Sequence, residues 1–192
     1  MRFHSLKLVI ILLFSASLHA GEWQVDKKAN NSVIFSSTTT LLDFQGKTSA
    51  IDGYYYNEGD SLFGEKNELY FEVQLATFDT GNGKRDRDMR EDVLETDKHP
   101  LSFFKGTISK VHQAEEGYTV TAVGDLSLHG IVQKMAIIAQ VVEMDNGIKI
   151  SSAFSFLLKD FKIAAPSLLA FVKVAEKIEI EVNFELKIMD KK

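Results

Sequence analysis

The final strand-like segment of the chain alternates apolar and polar residues without interruption. It reads KIEIEVNFELKI over residues 177–188. Because successive side chains of a β-strand point to opposite faces, this period of two predicts a long strand with one buried face. One strand cannot cover its own apolar face, so the segment constrains the chain to a fold with several paired strands around a shared core.

The same alternation recurs through the rest of the chain. It is clearest in LYFEVQL, YTVTAVGDLSL and IKISSAFSFLL. Further strand-like segments cover residues 22–26, 32–40, 44–56, 102–112 and 131–144. Turn signals such as YNEGD, EEG and DNG separate them, and such short connections predict about eight strands, nearly all antiparallel.

Helical periodicity is scarce and is concentrated in one charged segment. Over residues 86–95, Met89, Val93 and Leu94 form a narrow apolar stripe, and opposite charges lie four residues apart. This pattern predicts one short helix with a solvated charged face. A second turn or short helix is predicted near residues 166–171, PSLLAF.

Long strands with one apolar face each can bury those faces in a sandwich or in a closed barrel. Strands of about 12 residues span about 40 Å, which is long for a sandwich. Tilted in a barrel, they enclose a lumen about 30 Å tall. We therefore predict an all-β fold, an eight-stranded antiparallel barrel with an elongated apolar interior and one short helix.

Alternation alone does not decide which face of the strands points inward. An outer-membrane barrel has the same period with its apolar face outside. Here the polar faces are rich in lysine and glutamate, which would all have to pair inside a narrow lumen, and no aromatic girdles bracket the strands. This composition favours a soluble barrel whose apolar faces line the interior.

The first 20 residues have the layout of a secretory signal peptide, with basic residues, then an apolar run, then small residues. These parts are Arg2 and Lys7, then residues 8–18, then Ala20 and Gly21. The apolar run is shorter than the roughly 20 residues of a membrane-spanning helix. We predict a cleaved signal peptide over residues 1–20 and one domain over residues 21–192.

Charge and composition exclude several classes of function. The formal net charge is -5. Removing the predicted signal peptide makes it about -7, which disfavours nucleic acids as partners. The chain has no cysteine, so it has no disulfide framework and no thiolate metal site. Beyond the predicted signal peptide, His99, His112 and His129 lack the close spacing of a metal-binding pair, and we predict no metal site.

The polar motifs do not form a catalytic pattern. DLSLHG places Asp125, Ser127 and His129 on one strand face. Their neighbouring Cβ atoms are about 7 Å apart, which is too far for the hydrogen bonds of a catalytic triad. Asp86 and Asp88 lie among three arginines, which favours ion pairing of these carboxylates over general acid–base catalysis. We predict no catalytic residue, and therefore no enzyme.

Three longer stretches together resemble the YceI-like family of exported, lipocalin-like barrels. They are TGNGKRDRDMREDVLETDKHPLSFF, GDLSLHGIVQKM and KDFKIAAPSLLAFVKVAEKIEIEV. Asn82, Arg85 and Asp86 match the family's asparagine and Arg-Asp pair at the start of the helix that crosses the barrel mouth, and Met89 occupies the following leucine position. The resemblance implies that Arg85 and Asp86 pin this helix to the barrel rim.

The chain departs from the family pattern at two places. Asp88 stands where the family usually has a histidine. Lys162 follows Phe161 where many members have Phe-Gly before an Ile-x-x-Pro element. Such changes do not alter the predicted fold, but barrels of one family need not hold one lipid.

The resemblance also implies a function. It predicts a periplasmic protein that binds, stores or transports a long-chain isoprenoid or quinone-type lipid, without catalysis and without a catalytic cofactor. The bound molecule would be a polyisoprenoid or an isoprenoid quinone. We predict that the lumen is lined by Phe35, Phe71, Val73, Leu75, Phe103, Leu126, Phe154, Phe156, Ile180, Val182 and Phe184.

One alternative remains open on the sequence. Side chains fill the interior of many small barrels, and such a protein would be an envelope stress or interaction protein without a ligand. Transient contact with a membrane or a membrane redox protein, and a homodimer, are compatible with the sequence.

Overall fold

The computed structural model of the protein describes residues 20–39, 43–59, 61–169 and 172–189. Ala20, the last residue of the predicted signal peptide, begins the first strand. Residues 1–19 lie outside the described residues, so the signal peptide stays a prediction. Within the described ranges, no helix is both long enough and apolar enough to cross a membrane.

The described residues form twelve strands and one short helical segment. The strands are β1 (Ala20–Val25), β2 (Ser32–Thr38), β3 (Asp43–Thr48), β4 (Ile51–Glu58), β5 (Asn67–Gln74), β6 (Leu101–Gln113), β7 (Tyr118–Leu128), β8 (Ile131–Met144), β9 (Gly147–Leu157), β10 (Ser167–Leu169), β11 (Val172–Lys173) and β12 (Lys177–Ile188). Helix α1 (Gly83–Asp88) continues into a π-helical turn, Met89–Val93. Two 3-10 turns cover Leu75–Thr77 and Leu158–Phe161.

Strand β12 closes the sheet into a barrel. The order of the large sheet is β1-β4-β5-β6-β7-β8-β9-β12-β2-β3, and β12 also pairs with β1. One edge of β12 pairs with β9, while the other pairs with β2 near its start and with β1 near its end. Strands β1 and β2 share one strand position beside β12, and their partners β4 and β3 share the next position, so these four strands fill two positions of the barrel. The predicted eight-stranded antiparallel barrel is thereby confirmed.

Most strand predictions agree closely with the structure. The observed bounds of β7, β8 and β12 coincide with the predicted ones. The predicted strand over residues 44–56 is interrupted between β3 and β4. There the backbone N–H of Ala50 donates to Thr48 Oγ1 at 3.0 Å, and Ile51 N–H donates to the Ser49 carbonyl at 2.9 Å. These local bonds replace two positions of the ladder and bend the chain.

Two helical predictions need correction. The mouth helix begins at Gly83 rather than at Asp86, because the Asn82 side chain accepts a hydrogen bond from the backbone N–H of Arg85 at 3.1 Å and caps the helix there. A helix near residues 166–171 is not found over residues 167–169, which form β10 and pair with β11. Residues 170 and 171 lie outside the described residues, so a turn there stays a prediction. A short apolar run does not distinguish a strand from a helical turn by periodicity.

Aromatic side chains close the barrel end opposite α1. Tyr55 is buried and its hydroxyl donates to the Leu62 carbonyl at 3.0 Å. Its ring centroid lies 6.5 Å from that of Phe63, which meets the ring of Tyr118 edge-on at 5.1 Å. We call this the closed end and the end beside α1 the mouth. Burial raises the pKa of Tyr55 well above its usual range, so its hydroxyl stays a neutral donor.

The second 3-10 turn anchors the segment after β9 beside the mouth. Phe161 is only 1% exposed, and its ring meets that of Phe156 edge-on at 5.1 Å. Lys162 follows with a φ of 57°, in the left-handed region. The family that the chain resembles often has glycine here, and the conformation gives the reason, because a residue without Cβ adopts it without steric cost.

We expect Lys162→Gly to raise the free energy of unfolding by up to about 1 kcal/mol, because it relieves the left-handed strain at this position. Equilibrium unfolding in urea measures the change. Lys159→Gly is the matched control, since Lys159 lies within the 3-10 turn, and this variant should be less stable than the wild type. A Lys162→Gly variant that loses as much stability as the control would contradict the assignment.

Candidate ligand-binding site

The interior of the barrel contains an apolar cavity of about 310 Å³. This volume is at the lower end of the roughly 300–1,000 Å³ typical of small-molecule sites. Every residue that the sequence predicts for the lumen borders this cavity. They reach it from β2, β5, β6, β7, β9, β12 and the first 3-10 turn. The apolar faces of the strands therefore surround the interior rather than the outer surface.

Phe103 occupies a different position from the predicted one. Strand register pairs Phe104, not Phe103, with Phe71 and Leu126. The Phe103 ring instead lies 5.6 Å from the ring of Tyr70 on the other face of the sheet. Of these two residues, Phe104 is therefore the one on the inward face, although Phe103 also borders the cavity. The error arose because two consecutive phenylalanines leave the phase of the alternation ambiguous.

Side chains fill part of the lumen. The rings of Phe71 in β5 and Phe184 in β12 meet edge-on with centroids 4.8 Å apart. Phe35 meets Phe78 in the same way at 5.3 Å. Edge-on aromatic pairs of this kind are stabilising and rigid. The remaining cavity is thus bounded by packed aromatic rings together with aliphatic side chains.

One polar group in the cavity lining has no hydrogen-bond partner among the described residues. Ser37 borders the cavity and is 3% exposed, yet its hydroxyl makes no hydrogen bond to any residue that the structure describes. Leaving a buried hydroxyl unpaired costs about 1–3 kcal/mol. Strand pairing sets Ser37 opposite Phe44 near the mouth. A guest molecule with a hydrogen-bonding group would satisfy this hydroxyl.

Thr80 connects the two charged residues of the family motif. Its hydroxyl accepts from Arg85 Nε at 2.8 Å and donates to Asp86 Oδ1 at 2.5 Å. Its backbone N–H donates to the same carboxylate oxygen at 3.0 Å, and its carbonyl accepts from Arg85 Nη2 at 2.8 Å. Asp86 is only 7% exposed. The two residues thus act together through Thr80.

This network fastens α1 to strand β3. Asp79, next to Thr80, forms an isolated bridge with Lys47, with backbone hydrogen bonds of 2.9 and 3.0 Å. The Arg85 guanidinium also lies 4.7 Å from the centroid of the Phe44 ring, in the geometry of a cation–π contact. The helix is therefore held to the rim at two points of β3.

The helical segment presents apolar residues to the cavity and charges to water. Met89, Val93 and Leu94 border the cavity. Asp88 lies beside them but pairs with Lys84 at 2.6 Å. The hydrogen bond from the Lys84 ammonium holds the pKa of the Asp88 carboxyl below its usual range. Most of the charge in this segment is therefore solvated, and its apolar stripe covers the mouth.

Comparison with known proteins gives a family and a fold. The model of the YceI-like domain matches residues 23–186. Among solved structures, BcnA of Burkholderia cenocepacia is 14% identical with a TM-score of 0.70, over 84% of this chain and 98% of that one. A polyisoprenoid-binding domain from Saccharophagus degradans is also 14% identical, with a TM-score of 0.68 over 88% of this chain and 98% of that one.

The search of curated protein sequences gave no match. At such low identity, the two structural likenesses show the fold alone. They agree with the closed barrel described above.

We expect Thr80→Val to lower the free energy of unfolding by about 1–3 kcal/mol. The Thr80 hydroxyl donates to the buried Asp86 carboxylate and accepts from Arg85, and the variant loses both hydrogen bonds. Urea unfolding measures the effect. Thr107→Val is the matched control, because Thr107 lies on an exposed strand position, and it should change stability by no more than about 0.5 kcal/mol. Equal effects of the two variants would show that Thr80 does not connect the motif.

Proposed function

Since the chain belongs to the YceI-like family, we propose that it binds a long-chain isoprenoid or quinone-type lipid in the barrel lumen and stores or carries it without catalysis. The observation that carries this proposal is the apolar cavity of about 310 Å³ beneath the mouth helix. A non-polar guest would bind there by leaving water, which needs no specific polar contact along its length.

The energetics support an aliphatic guest. Each methylene that leaves water for an apolar lumen contributes roughly 0.8 kcal/mol. About ten such carbons nominally give micromolar affinity or better. Branched isoprenoid units suit a lumen lined by phenylalanine edges and small aliphatic side chains, because both surfaces are irregular and apolar.

The unpaired Ser37 hydroxyl supports a guest with one polar end. We infer that the polar group hydrogen-bonds to Ser37 near the mouth, while the apolar chain extends toward Tyr55 at the closed end. A quinone carbonyl or an isoprenoid alcohol offers the group that this hydroxyl needs. A pure hydrocarbon would leave it unpaired.

The mouth helix suggests how a guest would enter. Met89, Val93 and Leu94 lie between the cavity and solvent, so displacement of this segment would open the lumen. We propose further that the protein is exported to the periplasm, where exchange would occur with a membrane or with a membrane redox protein that uses the lipid.

A second candidate function is an envelope interaction protein without a ligand. The contact between Phe71 and Phe184 favours it, because these rings already occupy part of the interior. The two functions differ in what the remaining cavity does. In an interaction protein without a ligand, the remaining cavity would be a gap in the packing of the barrel interior.

Val182→Trp separates the two candidates, because Val182 borders the cavity and an indole there would occupy the space of a guest. We expect the lipid-free variant to keep its unfolding midpoint and to lose binding of an added polyisoprenoid alcohol, followed by intrinsic fluorescence. Ile138→Trp is the control, since Ile138 is 58% exposed on β8, and it should bind normally. A wild type that does not bind the alcohol, or a variant that loses about 1–3 kcal/mol of stability from overpacking, would favour the second candidate. Unchanged binding by Val182→Trp would contradict binding in the lumen beside Val182.

Ser37→Ala tests the orientation of the guest. We expect about tenfold weaker binding of an isoprenoid alcohol, equivalent to a hydrogen bond of about 1.4 kcal/mol. Binding of an isoprenoid hydrocarbon of equal length should not change, and the lipid-free variant should be at least as stable as the wild type. Ser155→Ala, at an exposed position of β9, is the control. Equal weakening for both lipids would contradict a hydrogen bond to Ser37.

A further inference from the structure

Three side chains with metal-binding atoms converge beside the mouth, outside the lumen. Glu95 and His99 belong to the connection between the helical segment and β6, and His129 belongs to the turn between β7 and β8. One potential ligand atom from each lies within 4.8 Å of the others. Glu95 Oε2 is 3.1 Å from His129 Nε2, and the two imidazole centroids are 4.8 Å apart.

The backbone conformation of the turn that carries His129 is well defined. Leu128 pairs with Ile131, which leaves His129 and Gly130 as a two-residue loop with φ values of 52° and 73°. Positive φ at both positions is the geometry of a type I′ turn, which matches the twist of the flanking strands. The backbone therefore fixes the direction in which the His129 side chain leaves the sheet.

His99 packs directly on this turn. A Cβ atom placed on Gly130 would lie 2.8 Å from His99 Cε1 and 3.2 Å from His99 Nδ1. Any other residue at position 130 would therefore push the imidazole away. Glu95 also has a positive φ, of 46°. A left-handed conformation costs about 1–2 kcal/mol in a residue with a side chain, and such strain is commonly kept at functional sites.

The three potential ligand atoms are of the kinds that bind zinc. Two imidazole nitrogens and one carboxylate oxygen are the three protein ligands of many zinc sites, in which water or a substrate takes the fourth position. Ligand atoms about 2.0–2.1 Å from a tetrahedral zinc ion lie about 3.4 Å from one another. The separations in this cluster are 3.1 to 4.8 Å, so small side-chain rotations would complete the shell.

We propose that Glu95, His99 and His129 bind a divalent transition-metal ion such as Zn²⁺. Imidazole-rich sites favour zinc, copper and nickel over magnesium and calcium, which prefer oxygen ligands. Lys98 hydrogen-bonds to Glu95 Oε1, while the other carboxylate oxygen faces His129. Glu95 would therefore ligate through Oε2 and keep its contact with Lys98.

The bound ion would cross-link two parts of the chain. His129 and Glu95 are 34 residues apart in sequence, and Leu94, next to Glu95, borders the cavity. Metal binding would thus fix the end of the mouth segment to the β7–β8 turn. Because an ion bound only in the folded state stabilises that state, Zn²⁺ should raise the melting temperature.

Isothermal titration of tag-free, chelator-treated protein with ZnSO₄ tests the site. We expect one ion per chain, with an increase in melting temperature that MgCl₂ does not reproduce. His99→Ala should weaken zinc binding at least tenfold. His129→Asn should do the same, and asparagine tolerates the left-handed turn conformation. Glu95→Gln should weaken binding while it keeps the size of the side chain.

His112→Ala is the control, because His112 is an exposed histidine of β6 outside the cluster, and it should bind zinc like the wild type. Circular dichroism verifies that each variant is folded. A wild type that binds no zinc, or a folded His99→Ala variant that binds as tightly as the wild type, would overturn the proposal. Equal loss in His112→Ala would also overturn it, since binding would then be non-specific.

Discussion

The structure depends on the two edges of strand β12. One edge pairs with β9 along nearly the whole strand, and the other pairs with β2 and β1 in succession. Without the second edge, the sheet would be open and its apolar face would lie in water. Closure removes the exposed sheet edges there and turns every alternating apolar face inward. The cavity is therefore a direct consequence of the hydrogen-bond register of β12.

The mouth is built by a separate polar network. Thr80 joins Arg85 and Asp86, while the bridge between Asp79 and Lys47 fastens this segment to β3. The hydrogen bonds of Thr80 join residues that are close in sequence, and they lie at the rim of the barrel. They hold the start of the helical segment, while its apolar stripe covers the lumen. The barrel therefore has a hydrogen-bonded wall and one helical segment fastened across its mouth.

Much of this architecture could be predicted from the sequence, because apolar and polar residues alternate along a strand that has one buried face. The bounds of β7, β8 and β12 followed from apolar alternation together with the turn signals between the segments. The phase failed at Phe103 and Phe104, where two apolar residues are adjacent. The unpaired hydroxyl of Ser37 and the meeting of His99 with His129 could not be predicted, because both depend on strand register and on a turn that brings distant residues together.

The proposed function rests on one claim, that the lumen holds a lipid in the living cell. Native mass spectrometry of the protein purified from its own host, followed by organic extraction, tests this claim most directly. We expect an added mass of one isoprenoid-type lipid per chain, which the extract then contains in a ratio near one to one. A chain that carries no added mass, with an extract free of prenyl lipids, would contradict it.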